Sequence, residues 1–252
     1  MASGVTVDGN RAVAIVPARL GSTRFPRKVL AAETGKTLIQ HVVEAAARAS
    51  SIAQVVVATD AVEVVEAVEA FGGEVVRTGE HPNGTSRLRE AAGVLGLAAD
   101  DVVVNVQGDE PEIEPETIDL AVAALVGSDC PMATVATPMS GDVGNPNVVK
   151  VVVAATGRAL YFSRSAIPHR AEPGGAGVLR HVGIYAYRRA FLDAYASLAA
   201  TPLEMAERLE QLRVLEHGHG IAVAVGESSH TGIDTPEQYA AFVRRWKESR
   251  SR

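Results

Sequence analysis

The sequence lacks the features that would place the chain in an oxidising compartment or a membrane. Cys130 is the only cysteine among 252 residues, which excludes an internal disulfide and a cysteine-based zinc site. No apolar run approaches the roughly 18 residues of a membrane-spanning helix. The first 11 residues are small and polar and contain no apolar core of a secretory signal. We therefore expect a cytoplasmic protein that does not bind membranes.

The sequence also lacks an excess of positive charge and several familiar motifs. Its net charge of −6 argues against nucleic acid as a partner, because a phosphate backbone attracts a basic surface. Neither the P-loop pattern GxxxxGK[ST] nor a GxGxxG fingerprint after the first strand is present. The GxSxG elbow of many serine hydrolases is absent as well. An anionic ligand would need a local cluster of arginine and lysine.

Short β-branched runs alternate with helical patterns in the first half of the chain. This alternation indicates βαβ units, and hence a mainly parallel sheet with helices on both faces. The predicted strands are 13–16, 55–58, 74–77 and 102–106, and the predicted helices are 38–49, 62–70, 86–95 and 115–126.

The second half predicts an antiparallel extension of the same domain. Its predicted strands are 148–153, 159–163, 182–187 and 221–225, and its predicted helices are 190–198, 202–216 and 236–246. A turn at Thr156-Gly157 separates the first two strands, which is typical of an antiparallel ribbon. We predict one domain over residues 12–246, a disordered tail over 1–11 and a C-terminal tail over 247–252.

A cation-rich loop follows the first predicted strand. Residues 17–28 (PARLGSTRFPRK) hold Arg19, Arg24, Arg27 and Lys28, with the small residues GST among them. Ligands of open α/β sheets bind beyond the carboxyl ends of the strands, where this loop emerges. Small residues let backbone N–H groups approach an anion, and the cations neutralise its charge. The loop is either a phosphate site or a solvated basic surface.

Two acidic motifs lie at the ends of predicted elements, one after a strand and one before a helix. Asp109 follows the predicted strand 102–106 in VNVQGDEP, where a carboxylate suits a Mg²⁺ ion that bridges phosphate oxygens. An acidic turn before a helix is the alternative. Asp234 in GIDTP fits a helix N-cap, with Pro236 in the first turn. Capping and metal binding are compatible for Asp234, and the spacing does not decide between them.

Taken in order, eight segments resemble the CMP-KDO synthetases, the 3-deoxy-manno-octulosonate cytidylyltransferases. The resemblance covers residues 12–246 without a large gap, and eight segments in series are far more specific than any one of them. The segments are 17–28, 81–87 (HPNGTSR), 104–111, 145–150 (NPNVVK), 159–168 (ALYFSRSAIP), 180–188 (RHVGIYAYR), 209–213 (LEQLR) and 232–236. The resemblance implies a Rossmann-like mixed sheet with a dimerisation extension, and hence a homodimer.

The resemblance also implies a role for each matching position. The implied catalytic residues are Arg19, Arg24, Lys28 and Asp109. The implied nucleotide-binding residues are Ala18, Arg19, Gly84, Thr85, Arg87 and Gln107. The implied acceptor-binding residues are Arg164, His181, Tyr185, Glu210 and Gln211. Asp109 and Asp234 are the implied ligands of Mg²⁺.

These roles imply a reaction in which CTP and a small acidic acceptor, such as the sugar acid KDO, are the partners. The anomeric hydroxyl of the acceptor attacks the α-phosphorus of CTP in line, and pyrophosphate leaves. Such a reaction needs positioning and charge neutralisation more than covalent catalysis. Arg164 suits the acceptor carboxylate because its guanidinium is fork-shaped. No general base is evident from the residues.

Three positions depart from the family pattern. Asn83 stands where serine is common, Ser86 where an acidic residue is usual, and His169 where an aromatic residue is typical.

Three alternative functions are open. Related enzymes accept amino-substituted ulosonates or phosphonates, so the same CTP chemistry on another acidic acceptor is one alternative. A serine hydrolase built from Ser163 or Ser165, His181 and an aspartate is a second alternative. A non-catalytic nucleotide-binding protein is a third.

Overall fold

The computed structural model describes residues 6–7, 10–21, 24–169 and 177–250. The strands are β1 Thr6–Val7, β2 Asn10–Ala18, β3 Gln54–Thr59, β4 Glu74–Arg77, β5 Val102–Asn105, β6 Met132–Pro138, β7 Lys150–Val153, β8 Ala159–Ser163, β9 Leu179–Arg188 and β10 Ile221–Val225. The helices are α1 Leu38–Ala46, α2 Val62–Ala70, α3 Gly84–Val94, α4 Pro115–Val126, α5 Arg189–Ser197, α6 Pro202–Glu207, α7 Gln211–Glu216 and α8 Pro236–Arg250. A short 3₁₀ helix spans Lys28–Leu30.

The described strands form a mixed sheet. Its main path runs in the order β10-β6-β9-β5-β2-β3-β4. Neighbouring strands on this path are parallel, except that β9 runs antiparallel to both β5 and β6. The predicted fold class, a mainly parallel mixed sheet, is therefore confirmed. The carboxyl ends of β2 and β5 lie side by side, because these strands pair in parallel from Ala12 to Ile15.

Helices cover both faces of the sheet, as β2 illustrates. Its residues alternate between the faces, as side chains of a strand must. Ala14 and Val16 belong to one apolar cluster with residues of α1, α2 and α4. Val13 and Ile15 belong to a second cluster with residues of α3, α5 and α7. Both faces of the sheet are buried, which explains why the strand sequences are continuous apolar runs.

The predicted antiparallel extension is the hairpin of β7 and β8. Strand β7 also pairs with the beginning of β9, where Lys150 lies opposite Arg180. The Lys150 side chain is fully buried, and its ammonium donates to the carbonyls of Asn145, Val148 and Arg164. This buried cation ties the hairpin to the loop before it and to the backbone of Arg164.

Two of the described strands were not predicted, and two helices were predicted as one. Strand β1 lies within the segment 1–11 that was predicted to be disordered, and it pairs with β2. Strand β6 was not predicted, although the first six of its seven residues are buried. The predicted helix 202–216 is wrong as a single element, because Arg208 adopts a left-handed conformation with φ 55° between α6 and α7. Arg213 binds both carboxylate oxygens of Glu204 at 2.7 and 2.5 Å. Residues nine apart do not meet on a straight helix, so this ion pair requires the break.

Both predicted tails overlap with ordered elements. Strand β2 begins at Asn10, and the backbone N–H of Arg11 donates to Asp101 at 3.0 Å. Helix α8 continues to Arg250, whose guanidinium lies 5.5 Å from the ring centroid of Trp246. The remaining parts of the tails, 1–5, 8–9 and 251–252, lie outside the described residues. None of the helices in the described part of the chain is both long and apolar enough to cross a membrane.

Lys150→Met should destabilise the fold. The apolar side chain leaves buried carbonyls without a donor, and one such group costs about 1–3 kcal/mol. The free energy of unfolding, measured by urea titration, should fall by at least that amount. Lys36→Met is the control, because Lys36 forms a partly exposed ion pair with Glu44 that contributes about 0–1 kcal/mol. Equal losses in the two variants would contradict the assigned role of Lys150.

Candidate active site

The loop after β2 places three of its four cations around one cleft. Arg19, Arg24 and Lys28 line a cleft of about 420 Å³, called here the basic cleft. Arg27 turns away in a left-handed conformation with φ 57° and pairs with Glu63 at 3.3 Å. The structure thus separates the three cations assigned by family resemblance from the fourth. Residues 22–23 of the loop lie outside the described residues.

The Lys28 ammonium joins the two acidic motifs. Its Nζ lies 2.6 Å from Oδ2 of Asp109 and 3.4 Å from Oδ1 of Asp234, and it donates to the carbonyl of Ile233 at 2.8 Å. Arg24 binds the other oxygen of Asp234 at 3.0 Å. The Lys28 side chain is only 11% exposed. Two carboxylates that are far apart in sequence therefore share one cation at the edge of the basic cleft.

Backbone contacts bring these two carboxylates together. Gly108 packs so closely against β2 that a Cβ atom there would lie 3.0 Å from the carbonyl oxygen of Pro17. The absence of a side chain at Gly108 therefore lets the segment that carries Asp109 lie against the basic loop. The Ile233 N–H then donates to the carbonyl of Asp109 at 2.8 Å. This bond fixes the Asp234 segment beside Asp109.

Thr235, and not Asp234, caps the N-terminus of α8. The Gln238 N–H donates to Oγ1 of Thr235 at 3.3 Å, and Oε1 of Gln238 accepts from the N–H groups of Asp234 and Thr235. This is a capping box, and the sequence signal for it is threonine followed three residues later by glutamine. The cap interpretation of Asp234 is therefore wrong. Its carboxylate instead contacts Lys28 and Arg24 in the basic cleft.

The nucleotide-side residues surround a neighbouring pocket of about 220 Å³, the upper pocket. Ala18, Arg19, Gly84, Arg87 and Gln107 line this pocket. Gly84 begins α3, so the pocket lies at a helix N-terminus. Such a position favours anions.

The Arg87 guanidinium is buried and already has partners. It binds Asp60 at 3.1 Å and Thr78 at 2.6 Å. Arg87 thus contributes to the shape of the upper pocket while its charge is engaged by Asp60.

Two departures from the family pattern belong to one local structure. Asn83 is the N-cap of α3, and its side chain accepts from the Ser86 N–H at 2.9 Å. The Ser86 hydroxyl donates back to the Asn83 carbonyl at 3.0 Å. The two residues therefore cap the helix together. Nothing in the structure explains His169.

The implied acceptor residues line two further pockets that Gln107 also borders, and Glu210 lines the upper pocket as well. Arg164, His181, Tyr185 and Gln211 line a cleft of about 470 Å³, called here the outer cleft. Tyr185, Glu210 and Gln211 line an adjoining pocket of about 240 Å³, the tyrosine pocket, which Thr85 also reaches. The structure therefore brings the five positions together, although β8, β9 and the α6–α7 junction supply them.

Arg164 is held in place by main-chain groups. Its Nε donates to the carbonyl of Glu207 at 2.9 Å and its Nη1 to the carbonyl of Pro146 at 3.0 Å. The Glu207 carboxylate accepts from the Arg164 N–H at 2.9 Å and from the Ser163 hydroxyl at 2.5 Å. A guanidinium has five N–H donors, so others remain for a ligand. The contacts fix its orientation at the edge of the outer cleft.

His181 is a neutral polar group at the base of the outer cleft. Its Nε2 lies 2.9 Å from the Thr134 hydroxyl, and its ring packs against Phe162 and Tyr185. Burial, with a further contribution from the Arg180 charge, lowers the pKa of His181 to about 3. Burial also raises the pKa of Tyr185, which keeps the phenol protonated. Both side chains therefore contribute hydrogen-bonding groups without charge.

Glu210 is exposed as a residue, but its carboxylate points toward the tyrosine pocket. The residue as a whole is exposed, but Oε2 lies 3.4 Å from the Tyr195 hydroxyl beside the tyrosine pocket. Desolvation there raises the pKa of Glu210, although the Arg213 charge opposes this change. Gln211, the next residue, is almost fully buried and begins α7.

The clefts meet at three side chains. Gln107 lines the basic cleft, the upper pocket, the tyrosine pocket and the outer cleft. Asp109 and Asp234 line both the basic cleft and the outer cleft. Glu110 also lines the outer cleft, and the sequence analysis did not single it out although it follows Asp109 directly. An anion in the basic cleft and a ligand in the outer cleft would therefore meet at the two aspartates.

The donor set fits Mg²⁺ in the company of phosphate. Among the described residues, no group of three or more His, Cys, Asp or Glu side chains is placed to hold a metal by itself. Mg²⁺ usually takes one or two carboxylates, several waters and phosphate oxygens of a substrate, and does not require a complete protein cage. Asp109 and Asp234 supply two hard oxygen ligands beside three cations.

The serine hydrolase arrangement is not formed. The Ser163 hydroxyl donates to Glu207, and Nε2 of His181 pairs with Thr134. Ser165 contacts Ser163 through its backbone N–H. The Ser163 hydroxyl and His181 therefore pair with other groups, and among the described residues neither serine is hydrogen-bonded to His181, which argues against this alternative.

A parallel sheet edge with a basic cleft bordered by two carboxylates defines a nucleotide-binding α/β protein. The family model described as cytidylyltransferase matches residues 13–222. The chain therefore belongs to the cytidylyltransferase family, and the relatives place it among the 3-deoxy-manno-octulosonate cytidylyltransferases.

One such relative, from Syntrophobacter fumaroxidans, is 48% identical over 240 residues, which is 92% of this chain and 96% of the relative. A protein from Shewanella pealeana named 8-amino-3,8-dideoxy-manno-octulosonate cytidylyltransferase is 45% identical over 88% of this chain and 93% of its own length. A solved structure of CMP:2-keto-3-deoxy-manno-octonic acid synthetase complexed with CTP matches with TM-score 0.89 and 40% identity. That match covers 95% of this chain and 100% of the other.

The neutrality of His181 predicts a pH dependence of stability. The unfolded chain takes up a proton on this histidine near pH 6.5, whereas the folded chain does so only near pH 3. Stability should therefore fall as the pH decreases below 6.5, by up to about 1.4 kcal/mol per pH unit from this group. Urea unfolding at about pH 5 and pH 7 measures the slope.

His181→Gln should make that slope shallower, because glutamine does not titrate. The matched control is His217→Gln, at an exposed histidine, and His181→Gln should flatten the slope more than this control does. An unchanged slope in His181→Gln would show that His181 is not held neutral in the folded state.

Proposed function

We propose that the chain transfers CMP from CTP to the anomeric hydroxyl of KDO and releases pyrophosphate. The observation that carries this proposal is that Asp109 and Asp234 border both the basic cleft and the outer cleft. In-line attack on the α-phosphorus requires the acceptor and the triphosphate to meet at one place. The named relatives and the CTP complex of a similar synthetase support the choice of both substrates.

The basic cleft is proposed to hold the triphosphate. Arg19, Arg24 and Lys28 would neutralise the charge that develops on the leaving pyrophosphate. Ala18, Arg19, Gly84, Thr85, Arg87 and Gln107 are proposed to bind the rest of the nucleotide. Arg87 acts there through the shape of the pocket, because its guanidinium is bound to Asp60 and Thr78.

The outer cleft and the tyrosine pocket are proposed to hold the sugar acid. Arg164 would bind the acceptor carboxylate, since its guanidinium is oriented by the carbonyls of Glu207 and Pro146. His181, Tyr185, Glu210 and Gln211 would bind hydroxyl groups, which need donors and acceptors at fixed positions. His181 does not serve as the general base, because a pKa of about 3 makes it too weak a base at neutral pH.

Asp109 and Asp234 are proposed to hold Mg²⁺ together with phosphate oxygens. When bound, the ion neutralises phosphate charge and polarises the oxygens that coordinate it. Lys28, which now lies between the carboxylates, is then available to the phosphates. The protein's own contribution is to hold two carboxylates and three cations around the position of the reacting phosphate.

We further propose that the enzyme is a cytoplasmic homodimer. Leu160 of β8 and Met205 of α6 are large apolar residues that are 61% and 65% exposed. β8 belongs to the antiparallel extension, and Glu207 of α6 contacts Ser163 of β8, so both residues lie on elements at the extension. A sedimentation mass equal to that of one chain would contradict the dimer.

The proposed reaction predicts pyrophosphate release from CTP, Mg²⁺ and KDO, with a product of the mass of CMP-KDO. Asp109→Ala should lower turnover by about 100-fold or more, whereas a non-catalytic binder would lose only affinity. Asp129→Ala is the control, because Asp129 forms an exposed ion pair with Arg158 outside the clefts. Full turnover of Asp109→Ala would contradict the proposed site.

The same assay separates the acceptors. Release with KDO establishes donor, reaction and acceptor together. Release only with an 8-amino ulosonate, the acceptor type in the name of one relative, or with a phosphonate would reject KDO and retain the CTP chemistry. No release with any acceptor, despite CTP binding, would favour the non-catalytic binding protein.

Arg164→Lys should weaken acceptor binding selectively. Lysine keeps the positive charge but lacks the guanidinium. It therefore cannot donate to the carbonyls of Glu207 and Pro146 and to an acceptor carboxylate at the same time. We expect the KM for the acceptor to rise about 10-fold or more, the effect of losing about 1.4 kcal/mol of binding. The KM for CTP should stay within about twofold in the same steady-state assay. Equal increases of both KM values would contradict an acceptor role for Arg164.

A further inference from the structure

The side chain of Glu114 makes most of its contacts outside its own helix. Glu114 is the N-cap of α4, but its carboxylate accepts from no backbone N–H of that helix and contacts it only through the Thr117 hydroxyl at 3.4 Å. Glutamate is not among the residues preferred at this position, because serine, threonine, aspartate and asparagine reach the free N–H groups better. The carboxylate of Glu114 is therefore used elsewhere.

The carboxylate binds the segment that leads to Asp234. Its Oε1 accepts from the Ser229 N–H at 2.9 Å, the Ser229 hydroxyl at 2.8 Å and the His230 N–H at 3.1 Å. Its Oε2 accepts from Nδ1 of His230 at 2.5 Å and from the Ser228 hydroxyl at 3.2 Å. Burial opposes ionisation, but hydrogen bonds from Ser229 and His230 lower the pKa of Glu114 to about 2. Glu114 is therefore an ionised acceptor at the centre of this contact.

The same two stretches of chain carry the two aspartates of the site. Asp109 precedes Glu114 by five residues, and Asp234 follows Ser229 by five residues. At the far end of each stretch, the Ile233 N–H donates to the Asp109 carbonyl. The stretches are thus fastened at both ends, by Glu114 at one end and by this backbone bond at the other.

His230 extends the contact into the interior. Its side chain is nearly fully buried, and its Nε2 lies 3.7 Å from Oε2 of Glu110. Glu110 is the residue next to Asp109 and lines the outer cleft. The loop makes five hydrogen bonds to the Glu114 carboxylate, so it cannot shift away from Glu114 without breaking several of them.

We propose that Glu114 is a positioning residue that sets the distance between Asp109 and Asp234. It lines neither the basic cleft nor the outer cleft, so it does not touch a ligand bound there. The inference rests on the proposed function only in taking a divalent ion as the occupant of the two aspartates. Groups that orient metal ligands commonly change metal affinity by about 10–100-fold when they are replaced.

The chain offers a matched control on the same helix. Asp119 of α4 accepts from the N–H groups and hydroxyls of Ser50 and Ser51, at distances of 2.6 to 3.1 Å. This carboxylate holds the loop between α1 and β3, away from the clefts. Glu114→Gln and Asp119→Asn each replace one accepting oxygen with an NH₂ group that cannot accept. Both variants should lose stability, whereas only the first should disturb the site.

The first measurement is Mn²⁺ binding to the full chain with CTP and no acceptor, read from the electron paramagnetic resonance of free Mn²⁺. We expect the dissociation constant to rise about 10-fold or more in Glu114→Gln and to stay within about twofold in Asp119→Asn. Equal changes in the two variants, or none in Glu114→Gln, would overturn the proposal. A wild-type protein that binds no Mn²⁺ with CTP would instead count against the proposed function.

A second measurement does not depend on the metal. Hydrogen exchange of the Ile233 amide in the ligand-free protein reports the bond to the Asp109 carbonyl. Exchange should be faster in Glu114→Gln than in the wild type and unchanged in Asp119→Asn. Unchanged protection of Ile233 in a folded Glu114→Gln protein would overturn the positioning role even if the proposed function fails.

Discussion

The contact between the Lys28 ammonium and the two aspartates is the interaction on which the site depends. Carboxylates that are brought this close repel each other, and partial burial strengthens the repulsion. Lys28 lies within 2.6 Å of one and 3.4 Å of the other, and its side chain is mostly shielded from water. The ligand-free protein thus carries its own counter-cation, so that the acidic pair exists before a nucleotide or a metal arrives.

The sheet topology places that contact at the border of the clefts. β2 and β5 are parallel neighbours, so the basic loop and the Asp109 motif leave the sheet at the same edge. β9 runs antiparallel beside β5 and β6, and its residues His181 and Tyr185 line the outer cleft together with Gln107. On the main path of the sheet β9 is the reversed strand, and it supplies part of the wall of the outer cleft.

Several charged side chains in or near the matching segments are bound to other groups of the protein. Lys150 fixes the backbone of Arg164, Glu207 orients Arg164, and Arg87 joins Asp60 to Thr78. Each is a charged group with partners that satisfy it, as burial requires. A motif match therefore identifies the neighbourhood of a site more reliably than it identifies which residues touch the ligand.

Local patterns determined many of the elements: the strand Glu74–Arg77 and the helices Val62–Ala70 and Pro115–Val126 have the predicted bounds. Periodicity, turn residues and capping signals are local, so one sequence carries them. Tertiary structure alone decided that Asp109 and Asp234 meet and that the chain breaks at Arg208. These outcomes depend on partners such as Lys28 and the Glu204–Arg213 pair, whose distances no spacing along the chain specifies.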